Sequence, residues 1–137
     1  MMRLPVLGVA LALVPAAVGG DNPGKDNLFQ KVSYQAALKK AKAASNLVMI
    51  DFYADWCAPC KQLDAQTFRN AKVRQFLQNR TVPIRVDVDK NKKLVGKYNI
   101  QAIPCMVFVD GEGKEVGRIL GFESPDNFLK KARKIVK

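Results

Sequence analysis

Leu47-Val48-Met49-Ile50-Asp51-Phe52-Tyr53 constrains the fold more than any other stretch of this chain. Six of its seven side chains are apolar or aromatic, with no alternation of wet and dry positions. Such a run suits a strand covered on both faces, as in a parallel sheet. A strand of that kind needs helices on either side, and the flanking sequence supplies them. Ser33 can cap a helix through residues 34–44, which are rich in strong helix formers. Beyond Cys57 a helical pattern resumes with Leu63, Phe68, Val73, Phe76 and Leu77; its irregular spacing around Arg69-Asn70 predicts a break. Val82 to Val88 reads as the next strand, and Asp89 as the cap of a short helix through Leu94, Val95 and Tyr98. Met106 to Val109 is a strand, residues 110–113 a turn, and Glu115 to Leu120 its antiparallel partner. Ser124-Pro125 opens a last helix with Phe128, Leu129, Ala132 and Val136 on its apolar side. Strands alternating with helices predict an α/β domain of three layers, a mixed, mostly parallel central sheet flanked by helices.

With 137 residues the chain holds one domain and one core. A formal charge of +11 favours acidic partners or an anionic membrane surface. The basic residues are scattered among helices without interleaved aromatics, so they read as a solvated surface; no nucleic-acid partner is expected. The absence of histidine excludes every His-based triad, His metal site and Cys-x-x-Cys-His haem attachment.

The first twenty residues differ in kind. Arg3 precedes an uncharged stretch from Leu4 to Val18, and small residues close it at Ala16-Ala17-Val18-Gly19-Gly20. The stretch is short of the roughly 20 apolar residues a bilayer span needs. The segment 1–20 therefore reads as a secretory signal, 21–27 as a flexible tether and 28–137 as the folded domain. The expected location is periplasmic or secreted.

The chemistry centres on Trp56-Cys57-Ala58-Pro59-Cys60-Lys61, directly after the buried strand and at a helix start. Two cysteines three apart there lie on one side of the first turn, within disulfide reach. Cys57 occupies the helix N-terminus, where free N–H groups and the macrodipole stabilise its thiolate, the nucleophilic form. Cys60, a turn deeper and less exposed, is placed to resolve a mixed disulfide. Half of a zinc site is the rival for a bare Cys-x-x-Cys, but only Cys105 remains as a thiol and no imidazole exists, so no metal is expected. A structural staple across two residues would stabilise almost nothing.

These residues resemble the thioredoxin family. Asp51 through Lys61 is similar to its active-site segment, and Ile103-Pro104 to its cis-proline loop. Val86 to Asp89 and Lys97 to Ile100 fit its spacing, and the likeness runs over residues 28–137. It is closest to secreted and periplasmic reductases, such as the C-terminal domain of a thiol:disulfide interchange reductase. The resemblance implies redox activity at Cys57 and Cys60, with Asp51 passing a proton to or from Cys60. It also implies that Trp56, Ile103 and a cis Pro104 contact substrate. Burial in an apolar strand should raise the Asp51 pKa, with Arg85 extending its own charge to solvent. On that basis removing the Asp51 carboxyl would relieve the fold of a costly polar group.

Two departures from the family pattern matter. Ala58-Pro59 replaces the usual Gly-Pro and adds no charge, which points to a reductant. Cys105 stands where the family often has Thr, and reads as a buried inert thiol with a third redox thiol as the sharper alternative. The expectation is a protein-disulfide reductase, without cofactor and monomeric. Its partners would be oxidised proteins and a membrane or thioredoxin-type electron donor. An oxidase or isomerase of the same fold and a non-catalytic binding module are the alternatives.

Overall fold

The computed structural model describes Gly8 and residues 28–137; the segments read as a secretory signal (1–20, Gly8 apart) and a flexible tether (21–27) lie outside the described residues. The elements run α1 (Tyr34–Ala44), β1 (Leu47–Tyr53), α2 (Ala58–Gln62), a π-helical turn (Leu63–Thr67), α3 (Ala71–Arg80), β2 (Thr81–Asp87), α4 (Lys92–Lys97), β3 (Cys105–Val109), β4 (Glu115–Leu120) and α5 (Pro125–Ile135). Ser33 and Ser124 cap α1 and α5, accepting the N–H groups of Ala36 and Asn127. The break expected near Arg69-Asn70 is a change of helix: the π turn ends and the Asn70 side chain caps α3. Asp89 does not cap α4; the Asn91 side chain does, accepting from Leu94 N–H.

Four strands form one sheet in the order β2-β1-β3-β4. β1 is central and fully covered, as its continuous apolar run requires. Its even side chains, Val48, Ile50 and Phe52, pack with Ala37 and Ala41 of α1 and with Leu94 and Tyr98. Met49 packs on the opposite face with Leu63, Phe68, Leu77 and Phe128. The three layers are therefore α1 and α4, the sheet, and α2 to α3 with α5. Pro83, which has no N–H to donate, lies on edge strand β2, and its carbonyl accepts from Gln30 N–H at 2.8 Å.

The sheet is mixed, as expected, but not mostly parallel. β1 and β2 pair in parallel, whereas β1–β3 and β3–β4 are antiparallel. The chain leaves β2 through α4 and re-enters the sheet at the end where β1 and β2 finish, so β3 runs against β1 with Cys105 opposite Phe52. The turn at residues 110–113 then sets β4 antiparallel to β3. That reversal brings the segment before Cys105 to the edge from which α2 departs.

Candidate active site

Ala54-Asp55-Trp56 turns the chain from the end of β1 into α2, and Cys57 is the N-cap residue of that helix. Cys57 and Cys60 are joined as a disulfide with Cα atoms 5.3 Å apart, inside the range such a bond requires. The Cys60 backbone N–H donates to Cys57 Sγ at 3.2 Å. Cys57 thus receives a helix-start N–H while Cys60 lies within the first turn, and Pro59 occupies a position where no N–H is needed. The expected difference in exposure is absent: 4% and 3% of the two residues is accessible, because in the disulfide each sulfur covers the other.

The loop before β3 meets this pair. The Ile103–Pro104 peptide bond is cis. Pro104 is buried, its carbonyl accepts from Gly121 N–H at 2.8 Å, and the half-buried Ile103 packs against Ala54, Cys57 and Cys60. Trp56 is 70% exposed, and its indole N–H donates to Asp89 Oδ2 at 2.8 Å. The carboxylate expected to cap α4 is turned toward the dithiol's neighbour instead.

Asp51 is 1% exposed, on the same β1 face as Met49, which meets the π turn, α3 and α5. Arg85 does not extend to solvent; its Nε donates to Asp51 Oδ2 at 3.1 Å, and its Nη2 donates to both oxygens of Asp64 at 3.1 and 3.0 Å. Parallel register places Asp51 beside Arg85, and the guanidinium lies 4.1 Å from the Tyr53 ring centroid and 4.8 Å from that of Phe29. Two carboxylates and two ring faces hold the cation better than snorkelling would. Burial alone would lower the Arg85 pKa; the charges of Asp51 and Asp64 outweigh it and leave it raised. Asp64 escapes a reading by helical periodicity because it lies on the π turn, where the 3.6-residue count fails.

Cys105 is a free thiol, 1% exposed, whose pKa burial pushes up against the opposing Arg118 guanidinium 4.0 Å away. It packs with Phe52 and Val107, apart from the cluster of Cys57 and Cys60. Burial of this kind fits the inert reading.

The chain is 31% identical over 139 residues to the thiol:disulfide interchange protein DsbD of Ralstonia nicotianae, an alignment covering 95% of this chain but 22% of that protein. The chain thus spans less than a quarter of that relative's length. The crystal structure of the Neisseria meningitidis DsbD C-terminal domain in the oxidised form is similar with a TM-score of 0.63 and 28% identity, over 73% of this chain and 90% of that one. A thioredoxin from Thermus thermophilus is similar with a TM-score of 0.67 and 31% identity, over 74% of this chain and 82% of that one. The family described as the thioredoxin-like domain matches residues 34–135. Fold, disulfide position and sequence agree: this chain belongs to the thioredoxin-like family.

Proposed function

We propose that this protein is an extracytoplasmic thiol–disulfide oxidoreductase that reduces disulfides of oxidised proteins through Cys57 and Cys60. One observation carries the reading: the pair spans the first turn of α2, and Cys57 Sγ accepts the Cys60 N–H. A sulfur so placed is the one whose thiolate is stabilised after reduction. That thiolate attacks one sulfur of a substrate disulfide, and the other leaves and takes up a proton. Cys60 then gives up its proton, attacks Cys57 Sγ and displaces the second substrate sulfur. Two electrons pass to the substrate, and the Cys57–Cys60 disulfide re-forms. Renewal requires a dithiol donor, a membrane electron-transfer protein or a thioredoxin-type protein.

Asp51 serves in this scheme as the group that takes the Cys60 proton. With the Arg85 cation beside it, it acts as a base in resolution rather than as an acid. Trp56, Ile103 and Pro104 contact the substrate segment. The interchange function in the name of the Ralstonia nicotianae relative supports the activity, and the residue pattern of segment 1–20 supports the location.

The equilibrium potential of the pair against glutathione tests the direction of transfer. The uncharged Ala58-Pro59 places it near thioredoxin at roughly −270 mV; a value near roughly −120 mV would make the protein an oxidase.

A further inference from the structure

We infer that Arg118, oriented by Glu115, is a positioning residue for substrate recognition: it clamps the end of α4 and so holds the loop 99–104 against the dithiol. The inference rests on the reductase reading above and deepens it. Glu115 and Arg118 stand three apart on β4, and in a regular strand that odd spacing sends two side chains to opposite faces. A bulge changes this. Phe108 pairs with Gly117 but Val109 pairs with Glu115, so Val116 is an extra residue in β4. Glu115 thereby joins Arg118 on the sheet face of their partners Val109 and Val107, which pack with residues of α1 and α4.

The guanidinium meets the Glu115 carboxylate through two parallel bonds, Nε donating to Oε2 at 2.9 Å and Nη2 to Oε1 at 2.5 Å. Nη2 also donates to the Tyr98 carbonyl at 2.8 Å. The side chains of Arg118 and Glu115 are 33% and 32% accessible, so the pair contributes little stability in itself. Its two-pronged geometry instead fixes where the guanidinium points.

Tyr98 is the C-cap of α4, and a helix-end carbonyl lacks a partner within its own helix. Arg118 supplies one across 20 residues of sequence. The loop that follows runs to Pro104, and the same strand holds its far end, Gly121 N–H donating to Pro104 O at 2.8 Å. Contacts from β4 and the residue after it thus grip both ends of the loop whose Ile103 packs on Cys57 and Cys60. A loop loose at one end would have to be ordered when a protein substrate docks along it, and that ordering weakens binding. Arg118 does the ordering in advance. A small disulfide has no chain to lay along the loop and depends on it less.

Arg118→Ala, Glu115→Ala and the double variant test this with two readouts. The first is single-turnover oxidation of the prereduced full chain by insulin and by bis(2-hydroxyethyl) disulfide over a range of concentrations, stopped with acid. Arg118→Ala is expected to raise the half-saturating insulin concentration about 3–10-fold, the equivalent of ordering a short loop segment, with the maximal rate within about twofold. The loss on the small disulfide should be several-fold smaller. Glu115→Ala should show a weaker form of the same effect and add nothing in the double variant, because it acts through Arg118. The second readout is native-state hydrogen exchange of the Gly121 N–H, at the far end of the loop. It should quicken several-fold in Arg118→Ala relative to the β1 core amide of Ile50. Glu115→Ala, the milder change, carries both readouts where Arg118→Ala does not fold. Unaltered exchange at Gly121, an unaltered insulin dependence, equal losses on both substrates or additive effects in the double variant would overturn the inference. A wild type that reduces neither substrate would overturn the reductase reading instead, and exchange at Gly121 would still show whether Arg118 holds the loop.

Discussion

Cys57 and Cys60 are nearly equal in burial, so their difference in role comes from where each sits on the helix. Cys57 Sγ accepts the Cys60 N–H at the helix start, the placement on which its proposed role as the attacking group rests. Cys60→Ser should accumulate mixed disulfides with client proteins on non-reducing gels, and Cys57→Ser should not; trapping through Cys60 would reverse the assignment. Asp51 is a different case, because the structure changes the sign of one expectation. A lone buried carboxyl could be removed with profit to the fold, but Asp51 is half of an ion pair with Arg85. Asp51→Ala leaves that cation with Asp64 alone and should cost about 2–4 kcal/mol in urea unfolding. It should also slow resolution of the mixed disulfide by on the order of 100-fold without altering the first attack, as for a positioned proton acceptor. Single-turnover rates that stay the same across pH would leave Asp51 a structural role only. For Cys105 the raised pKa favours the protonated thiol in the folded state. Folding stability from this group is intact below the unfolded-state pKa of about 8.5 and declines as pH rises beyond it. Cys105→Ala should lose that alkaline decline, and in the oxidised wild type a thiol reagent at pH 8 should label Cys105 only once denaturant is added.

Among the elements, the run from α2 to α3 is one amphipathic segment with a defect in it. Leu63, Phe68, Val73 and Leu77 all reach the same core, yet no single 3.6-residue repeat connects them. The π turn supplies the extra residue, and Asn70 restarts the count by accepting the N–H groups of Lys72 and Val73 at 3.0 and 3.1 Å. Asn70→Ala removes that cap and should cost about 1 kcal/mol, or roughly 4 °C in Tm, by thermal denaturation. An unchanged Tm would mean that packing alone sets the start of α3. The same defect turns Asp64 toward Arg85, so an irregularity of the helix assembles part of the Asp51–Arg85–Asp64 cluster.

At the scale of the whole molecule, a reducing pair implies that folding favours the disulfide form, since strong oxidants owe their potential to a stabilised reduced form. The oxidised protein should therefore melt at a higher temperature than the dithiol protein prepared with excess reductant, and the opposite order would mark an oxidant. The sequence alone determined the elements and the dithiol. A seven-residue apolar strand, caps at Ser33 and Ser124, and Cys-x-x-Cys at a helix start are local features, legible because spacing and cap chemistry act within a few residues. What it could not determine were the pairings made by side chains far apart in the chain. Arg85 with Asp51 and Asp64, and Asp89 with Trp56, join residues 21 to 34 positions apart. Nothing in the local pattern distinguishes an arginine that snorkels from one that stacks between two rings. Nor does strand–helix alternation reveal that β3 enters the sheet from the end where β1 and β2 finish, which makes the β1–β3 pairing antiparallel. Those outcomes were decided by register and by the end of the sheet at which β1 and β2 finish and β3 begins, because only assembly of the sheet brings distant charges within hydrogen-bond reach.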